Sequence, residues 1–223
     1  MGLNFLKNKK VVFLLLLFLF FLLLIGGFLI WFILGPAKGN DFKCVDLSEY
    51  EIKKTEEGTI IENKKQGLAF KVPDGWIIKK NKYSEKENEI MLFDPNVEFD
   101  ENGNVLVEKS FKEKGACSIG ITIIKYIKRD SDMLIEPEIV RNDIKAIKEG
   151  YEGENHLSEI ILISGKEGLK EVFGKIKEKN SAVAITVRIP IIQTIYGFST
   201  GIVFNKECIE KFNEFLKGVS INK

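Results

Sequence analysis

The sequence is poor in the residues that most often carry chemistry. It has one histidine, His156, and three cysteines, Cys44, Cys117 and Cys208. Nucleophilic catalysis needs a base held against its nucleophile. His156 instead closes the polar run Glu152-Gly153-Glu154-Asn155-His156 with no nucleophile motif beside it, and reads as a surface residue. A zinc site draws on four Cys, His or acidic ligands, commonly in close pairs, and three scattered cysteines do not supply that spacing. Gly165-Lys166-Glu167-Gly168 lacks the Gly-x-x-x-x-Gly-Lys-Ser/Thr form of a phosphate loop and reads as a tight turn. The acidic stretch after Asp94 fails as a calcium loop. Counted from Asp94 or from Asp100, the sixth position is Phe99 or Val105, where an EF-hand needs glycine. Carboxylates are plentiful, but sequence alone does not show which of them meet. No catalytic residue, cofactor-binding residue or metal ligand is therefore assigned, and no cofactor is implied.

A dominant charge is also missing. Lys and Arg number 33 against 32 Asp and Glu, well interspersed. That balance suits a solvated surface and excludes the basic footprint of a nucleic-acid binder.

What is present is one long apolar run. Val11–Leu34 contains no charged or strongly polar residue. As a helix it would be about 36 Å long, enough to cross a bilayer core of about 30 Å. It shows no amphipathic stripe for packing on a soluble core. Lys7, Lys9 and Lys10 precede it, which places the N-terminus inside and the larger part of the chain outside, although Lys38 and Lys43 lessen the asymmetry. The run is too long for the core of a cleaved signal peptide, yet Gly35-Pro36-Ala37 offers a small-x-small triplet, so cleavage stays an alternative. A lipoprotein needs a cysteine directly after the run, and the first is Cys44. Gly26-Gly27 would permit close approach of another helix, but no Gly-x-x-x-Gly pair is present. The resulting division is a cytoplasmic tail over 1–10, a single-pass transmembrane helix over 11–34, a linker and lead-in over 35–58, and one extracytoplasmic domain over 59–223.

Within that domain the periodicity switches between two and 3.6. Thr59–Glu62, Leu68–Val72, Trp76–Lys79 and Glu89–Phe93 read as short strands, with Tyr83–Asn88 as a charged loop. Val97–Val107 reads as a hairpin centred on Asn102-Gly103, the pair favoured in type I′ turns. Cys117–Tyr126 is apolar on both faces, which predicts a strand covered on both sides. Pro137–Glu149 repeats Val140, Ile144 and Ile147 at helical spacing. Leu157–Ser164, Leu169–Lys177, Ala182–Ile189 and Ile195–Phe204 follow as strands, with Pro190 marking an end or an edge. In the last of these, Gly197, Ser199 and Gly201 form a small face that would let a helix approach closely. Glu207–Lys217 is an amphipathic helix with Cys208, Phe212 and Phe215 on one stripe. Sequential strands with few crossovers predict an α+β domain built on an antiparallel sheet.

One stretch resembles a known family. Gly67-Leu68-Ala69-Phe70-Lys71-Val72-Pro73-Asp74-Gly75-Trp76 is similar to the Phe-x-x-Pro-x-Gly-Trp opening of PsbP-like domains, and the helix Cys208–Leu216 after an aromatic strand resembles their C-terminal end. The resemblance spans Thr59–Ile221. It implies an α/β/α sandwich around an antiparallel sheet, with the Asn102-Gly103 hairpin as an insertion. The plant members are extrinsic photosystem proteins, and many bacterial relatives are anchored outside the membrane without an assigned activity. No residue here carries over a photosynthetic role. The motif also has a packing account, in which Pro73 and Gly75 make a turn and Phe70 and Trp76 fill the core.

The functional expectation is a non-enzymatic, membrane-anchored extracytoplasmic interaction domain with a protein or other envelope partner. The alternative is an envelope enzyme or small-ligand binder using carboxylates in a cleft. Outside the cytoplasm three cysteines allow one bridge in any of three pairings. Cys117 and Cys208 lie on apolar faces and read as buried thiols; a bridge involving Cys44 is one alternative, and the pairing stays open.

Overall fold

The computed structural model describes residues 41–84, 87–127, 136–149, 157–174, 183–201 and 206–223. The run Val11–Leu34 and His156 lie outside the described residues. No helix among those described is long and apolar enough to cross a membrane.

Two antiparallel sheets form the domain. The larger has eight strands: β1 (Asp41–Cys44), β5 (Ile77–Ser84), β6 (Glu87–Phe93), β7 (Ser118–Ile127), β8 (Leu157–Ile163), β9 (Lys166–Phe173), β10 (Ala184–Ile191) and β11 (Thr194–Thr200). Their order is β5-β6-β7-β11-β10-β9-β8, with β1 pairing to the far end of β7. The smaller sheet has the order β12-β4-β3-β2, built from β2 (Glu51–Thr55), β3 (Gly58–Asn63), β4 (Leu68–Lys71) and β12 (Val219–Ile221). Two α-helices are described, α1 (Glu136–Lys148) and α2 (Lys206–Lys217), with a 3-10 turn at Leu47–Glu49 and a π-helical turn at Glu108–Glu113.

The main core lies between the two sheets and α2. Ile119, Ile121 and Ile123 of β7, Ile185, Val187 and Ile189 of β10, and Tyr196 and Phe198 of β11 meet Ile61 and Phe70 of the small sheet and Phe212 and Phe215 of α2. Alternation at period two supplies the inward residues of each strand, and the helical stripe supplies those of α2. Phe70 stands edge-on to Phe215 at 5.6 Å between ring centroids. A second cluster forms on the opposite face of the large sheet, where Val140 and Ile144 of α1 pack on Tyr126, Leu169 and Ile195.

The antiparallel α+β expectation agrees with these pairings, and the central strands predicted to be buried are so. Several local readings need correction. The stretch 41–58 supplies β1 and β2, because Phe42 to Cys44 pair with Tyr126 to Ile124 and Ile52 pairs with Ile61. Of the expected loop Tyr83–Asn88, Tyr83 and Ser84 belong to β5 and Glu87 and Asn88 to β6, with a register shift between Lys82 and Ser84. The expected hairpin around Asn102-Gly103 is present in short form, with a bridge between Phe99 and Val105 flanked by backbone bonds from Asp100 N to Asn104 O at 2.8 Å and from Leu106 N to Glu98 O at 2.9 Å. Its tip is organised by Asp100, whose Oδ1 accepts from the amides of Asn102 at 2.9 Å and Asn104 at 2.7 Å. This side chain supports the turn that Gly103 makes with φ of +79°, the Gly103 amide donating to Asp100 O at 2.9 Å. Pro190 lies inside β10, beyond Arg188 where the ladder to β9 stops, so its missing amide interrupts no pairing on that side.

The cysteine expectation is also corrected. The disulfide joins Cys117 to Cys208, with Cα atoms 5.2 Å apart. Cys44 is buried and lies outside that bridge. Each bridged cysteine does fall on an apolar face, but the two faces belong to the same core, and their separation of 91 residues hid the contact. Half-buried Trp76 packs against the pair, while Pro73 O accepts from Trp76 N at 3.1 Å to close the turn. The packing account of the Gly67–Trp76 motif thus holds. Gly67 itself has φ of +67°, and a Cβ there would meet Asn222 O of the C-terminal strand's flank.

Candidate functional site

The face of the large sheet turned away from the main core is covered unevenly. At one end α1 sits over Ile124, Ile195 and Leu169. At the other, the excursion between β6 and β7 folds Phe99, Val105 and Phe111 over Met91 and Phe93. Between them, no described helix covers the strands. Gly197 and Ser199 of β11 floor this gap with Thr122 of β7 and Thr186 of β10, around a cavity of about 360 Å³. The sequence reading expected a helix close to this small face. The smallness has another local cause: a Cβ at Gly197 would lie 2.6 Å from Thr122 Oγ1, and one at Gly201 2.5 Å from Ser118 Oγ, so the hydroxyls of β7 occupy that space.

Polar groups bracket the groove. On the α1 side Arg188 reaches Glu136 at 3.1 Å and Glu171 at 2.6 Å. Tyr126 donates its hydroxyl to the other oxygen of Glu136. Burial, reinforced by this bond to Glu136, raises the Tyr126 phenol above its ordinary range. The guanidinium thus bridges two carboxylates supplied by α1 and β9, a planar fork well matched to that task. Arg188 Nε is buried and finds no hydrogen-bond partner among the described residues. On the β6 side stands Glu89. A Cβ at Gly120 would overlap Glu89 Oε1 and lie 2.9 Å from Ser199 Oγ, so the carboxylate lies over the glycine beside the serine. Burial raises the Glu89 carboxyl above its ordinary value. A second cavity of about 510 Å³ continues from Glu89 toward Lys79 and Phe111.

The chemistry open to this arrangement is recognition first. Two of its carboxylates are already committed to one guanidinium, and the third lies over Gly120 beside Ser199. No group of three His, Cys, Asp or Glu residues able to hold a metal ion occurs among the described residues. No sequence pattern marks these four charged side chains. The small face of β11 is marked, because its alternation is local, whereas Glu89, Glu136, Glu171 and Arg188 come from four separate elements. A further depression of about 620 Å³ lies beside Trp76, Pro73 and Phe215, rimmed by Lys71, Asp74, Lys211 and Glu214.

No family profile matches the chain. No curated protein matches it in sequence. Among solved structures it is similar to a Bacteroides thetaiotaomicron protein at 9% identity and a TM-score of 0.39, covering 70% of this chain and 46% of that one. The chain thus spans under half the length of that structure. It is also similar to LpqN, described as involved in cell envelope biogenesis of Mycobacterium tuberculosis, at 12% identity and a TM-score of 0.41, over 83% of this chain and 93% of LpqN. A third similar structure is cyanobacterial PsbP (CyanoP) from Synechocystis, at 13% identity and a TM-score of 0.38, over 85% of this chain and 99% of that one. The last belongs to the family that the Gly67–Trp76 stretch resembles.

Proposed function

We propose that this chain is a membrane-anchored, extracytoplasmic accessory domain that catalyses nothing and holds a protein or envelope partner against the groove between α1 and the β6–β7 excursion. The observation that carries the compartment is the Cys117–Cys208 bridge inside the core. Structural disulfides persist in oxidising surroundings and are rare in a reducing cytoplasm. The apolar run Val11–Leu34 and the lysines before it supply the anchor and its direction. A groove floored by small residues, with most of its charge internally paired, suits the seating of a partner chain or glycan more than proton transfer.

A photo-crosslinking residue placed at Thr122 or Ser199 in intact membranes should give discrete adducts, absent when the residue is placed at exposed Glu210 of α2. Equal labelling at all three positions would count against the groove. A second reading, an enzyme or small-ligand binder, is favoured by Glu89, whose raised carboxyl is of the kind used in acid catalysis. If Glu89→Gln abolishes turnover of an envelope substrate while the fold survives, that second reading replaces the first.

A further inference from the structure

One end of the large sheet combines features that packing does not explain. The two-residue turn between β10 and β11 starts with Ile192, which has φ of 53°. A β-branched residue rarely adopts that backbone, and glycine ordinarily occupies it. Ile192 is nevertheless 78% exposed, so burial does not repay the strain. Leu162, near the β8–β9 turn at this same end of the sheet, is 71% exposed. Local strain on an exposed apolar residue is the kind of feature retained for contact with something else.

The surroundings are basic. The cavity of about 580 Å³ at this end is lined by Arg141, Lys145 and Lys148 of α1, Lys166 of β9 and Ile192. Arg141 donates to Ile192 O at 2.9 Å, which fixes a guanidinium at the turn. The facing acids are Glu167, paired with Lys148 at 2.5 Å, and Glu149, 3.8 Å from Lys145. Among the described residues, these four cations against two acids leave an excess of positive charge around exposed Ile192.

Chain connectivity adds an independent point. Asp41 pairs with Ile127 at the end of β7, and Tyr126 N donates to Gln193 O at 2.8 Å. The residues before Asp41 therefore join the domain at the same end as the Ile192 turn. On the anchored reading above, on which this part rests, six residues separate Leu34 from Asp41. Six residues reach at most about 20 Å when fully extended.

We infer that this end of the domain docks on anionic phospholipid headgroups, with Ile192 and Leu162 entering the interface and Arg141, Lys145, Lys148 and Lys166 facing the lipid phosphates. Apolar insertion together with basic residues is what peripheral contact with an anionic surface requires.

The test uses the full chain reconstituted in vesicles of phosphatidylcholine alone or with added phosphatidylglycerol, and reads amide exchange at residues 163–166 and 191–194. Exchange there should slow only in the anionic vesicles and recover in high salt. Lys145→Gln and Lys166→Gln should each weaken the docking equilibrium roughly fivefold. Ile192→Gly should weaken it too, without loss of thermal stability, since glycine accepts the positive φ. Exchange equal in both vesicles, or protection that ignores lipid charge and these variants, overturns the inference; the latter would point to a protein contact. Alkaline extraction of the same samples separates the two readings. A chain that washes off but still sediments with anionic vesicles in a salt-sensitive way upholds the docking end and removes the anchor. A chain that stays embedded with unprotected turns does the reverse.

Discussion

Tyr196 ties the two sheets together through one atom. It is fully buried, and its hydroxyl donates to Gln66 O at 2.6 Å across the core. Burial pushes its phenol up to about 12, from an ordinary value near 10. A folded-state value above the unfolded one means that the folded state holds the proton more tightly. The stabilisation is complete below about pH 10 and is lost as pH rises toward about 12. Tyr196→Phe should therefore cost about 1 kcal/mol at neutral pH and flatten the alkaline unfolding profile, both readable by denaturant titration. Glu89 has the same sign of shift and a different consequence. Its raised value makes ionisation unfavourable in the fold, so stability is greatest below its unfolded value and falls as pH rises through the folded one. Glu89→Gln should thus raise the thermal midpoint at neutral pH, with the gain vanishing in acid. A residue that lowers stability in a groove is a reasonable marker of function, and the same variant reports on both.

Helix α2 is held to the sheet at its first turn by the Cys117–Cys208 bridge and one turn later by Lys211, whose ammonium lies 2.7 Å from Asp94. The Asp94 side chain is 2% exposed, and its Oδ1 also accepts from Asn96 N at 2.7 Å. The bond to Asp94 raises the Lys211 ammonium above its ordinary value. Removing the cation leaves a buried carboxylate without its counter-charge, so Lys211→Met should destabilise the fold by about 3 kcal/mol in chemical denaturation. The disulfide closes a long loop and constrains the unfolded chain, so Cys208→Ala should cost about 2–5 kcal/mol. Mass spectrometry of the unreduced, denatured protein should find one alkylatable thiol, Cys44, and finding three would remove the compartment argument. Both links meet α2 near Trp76, which explains why the stretch resembling PsbP-like domains and the C-terminal helix come together although they lie far apart in the chain.

For the whole molecule, the proposed orientation rests on the apolar run and its basic flank, and it is directly measurable. Protease added to intact spheroplasts should degrade the domain, while protection until lysis would place it in the cytoplasm. Period-two alternation made β7, β10 and β11 legible in the sequence, and the helical stripes of Val140 and Ile144 and of Phe212 and Phe215 did the same for α1 and α2. The Pro73–Trp76 turn was legible because turn chemistry is carried by adjacent residues. β1 was not, because its alternation spans only the four residues Asp41–Cys44 and its strand is completed by pairing with the distant β7. The ends of β5 and β6 were hidden for a similar reason: charged residues suit a loop, yet the antiparallel pairing of Ile77–Ser84 with Glu87–Phe93 carries them into strands. The second sheet, the cysteine pairing, the Glu136–Arg188–Glu171 bridge and the end that carries Ile192 were decided by tertiary structure. Each depends on contacts between residues tens of positions apart, and periodicity says which face a side chain takes without saying what that face will meet.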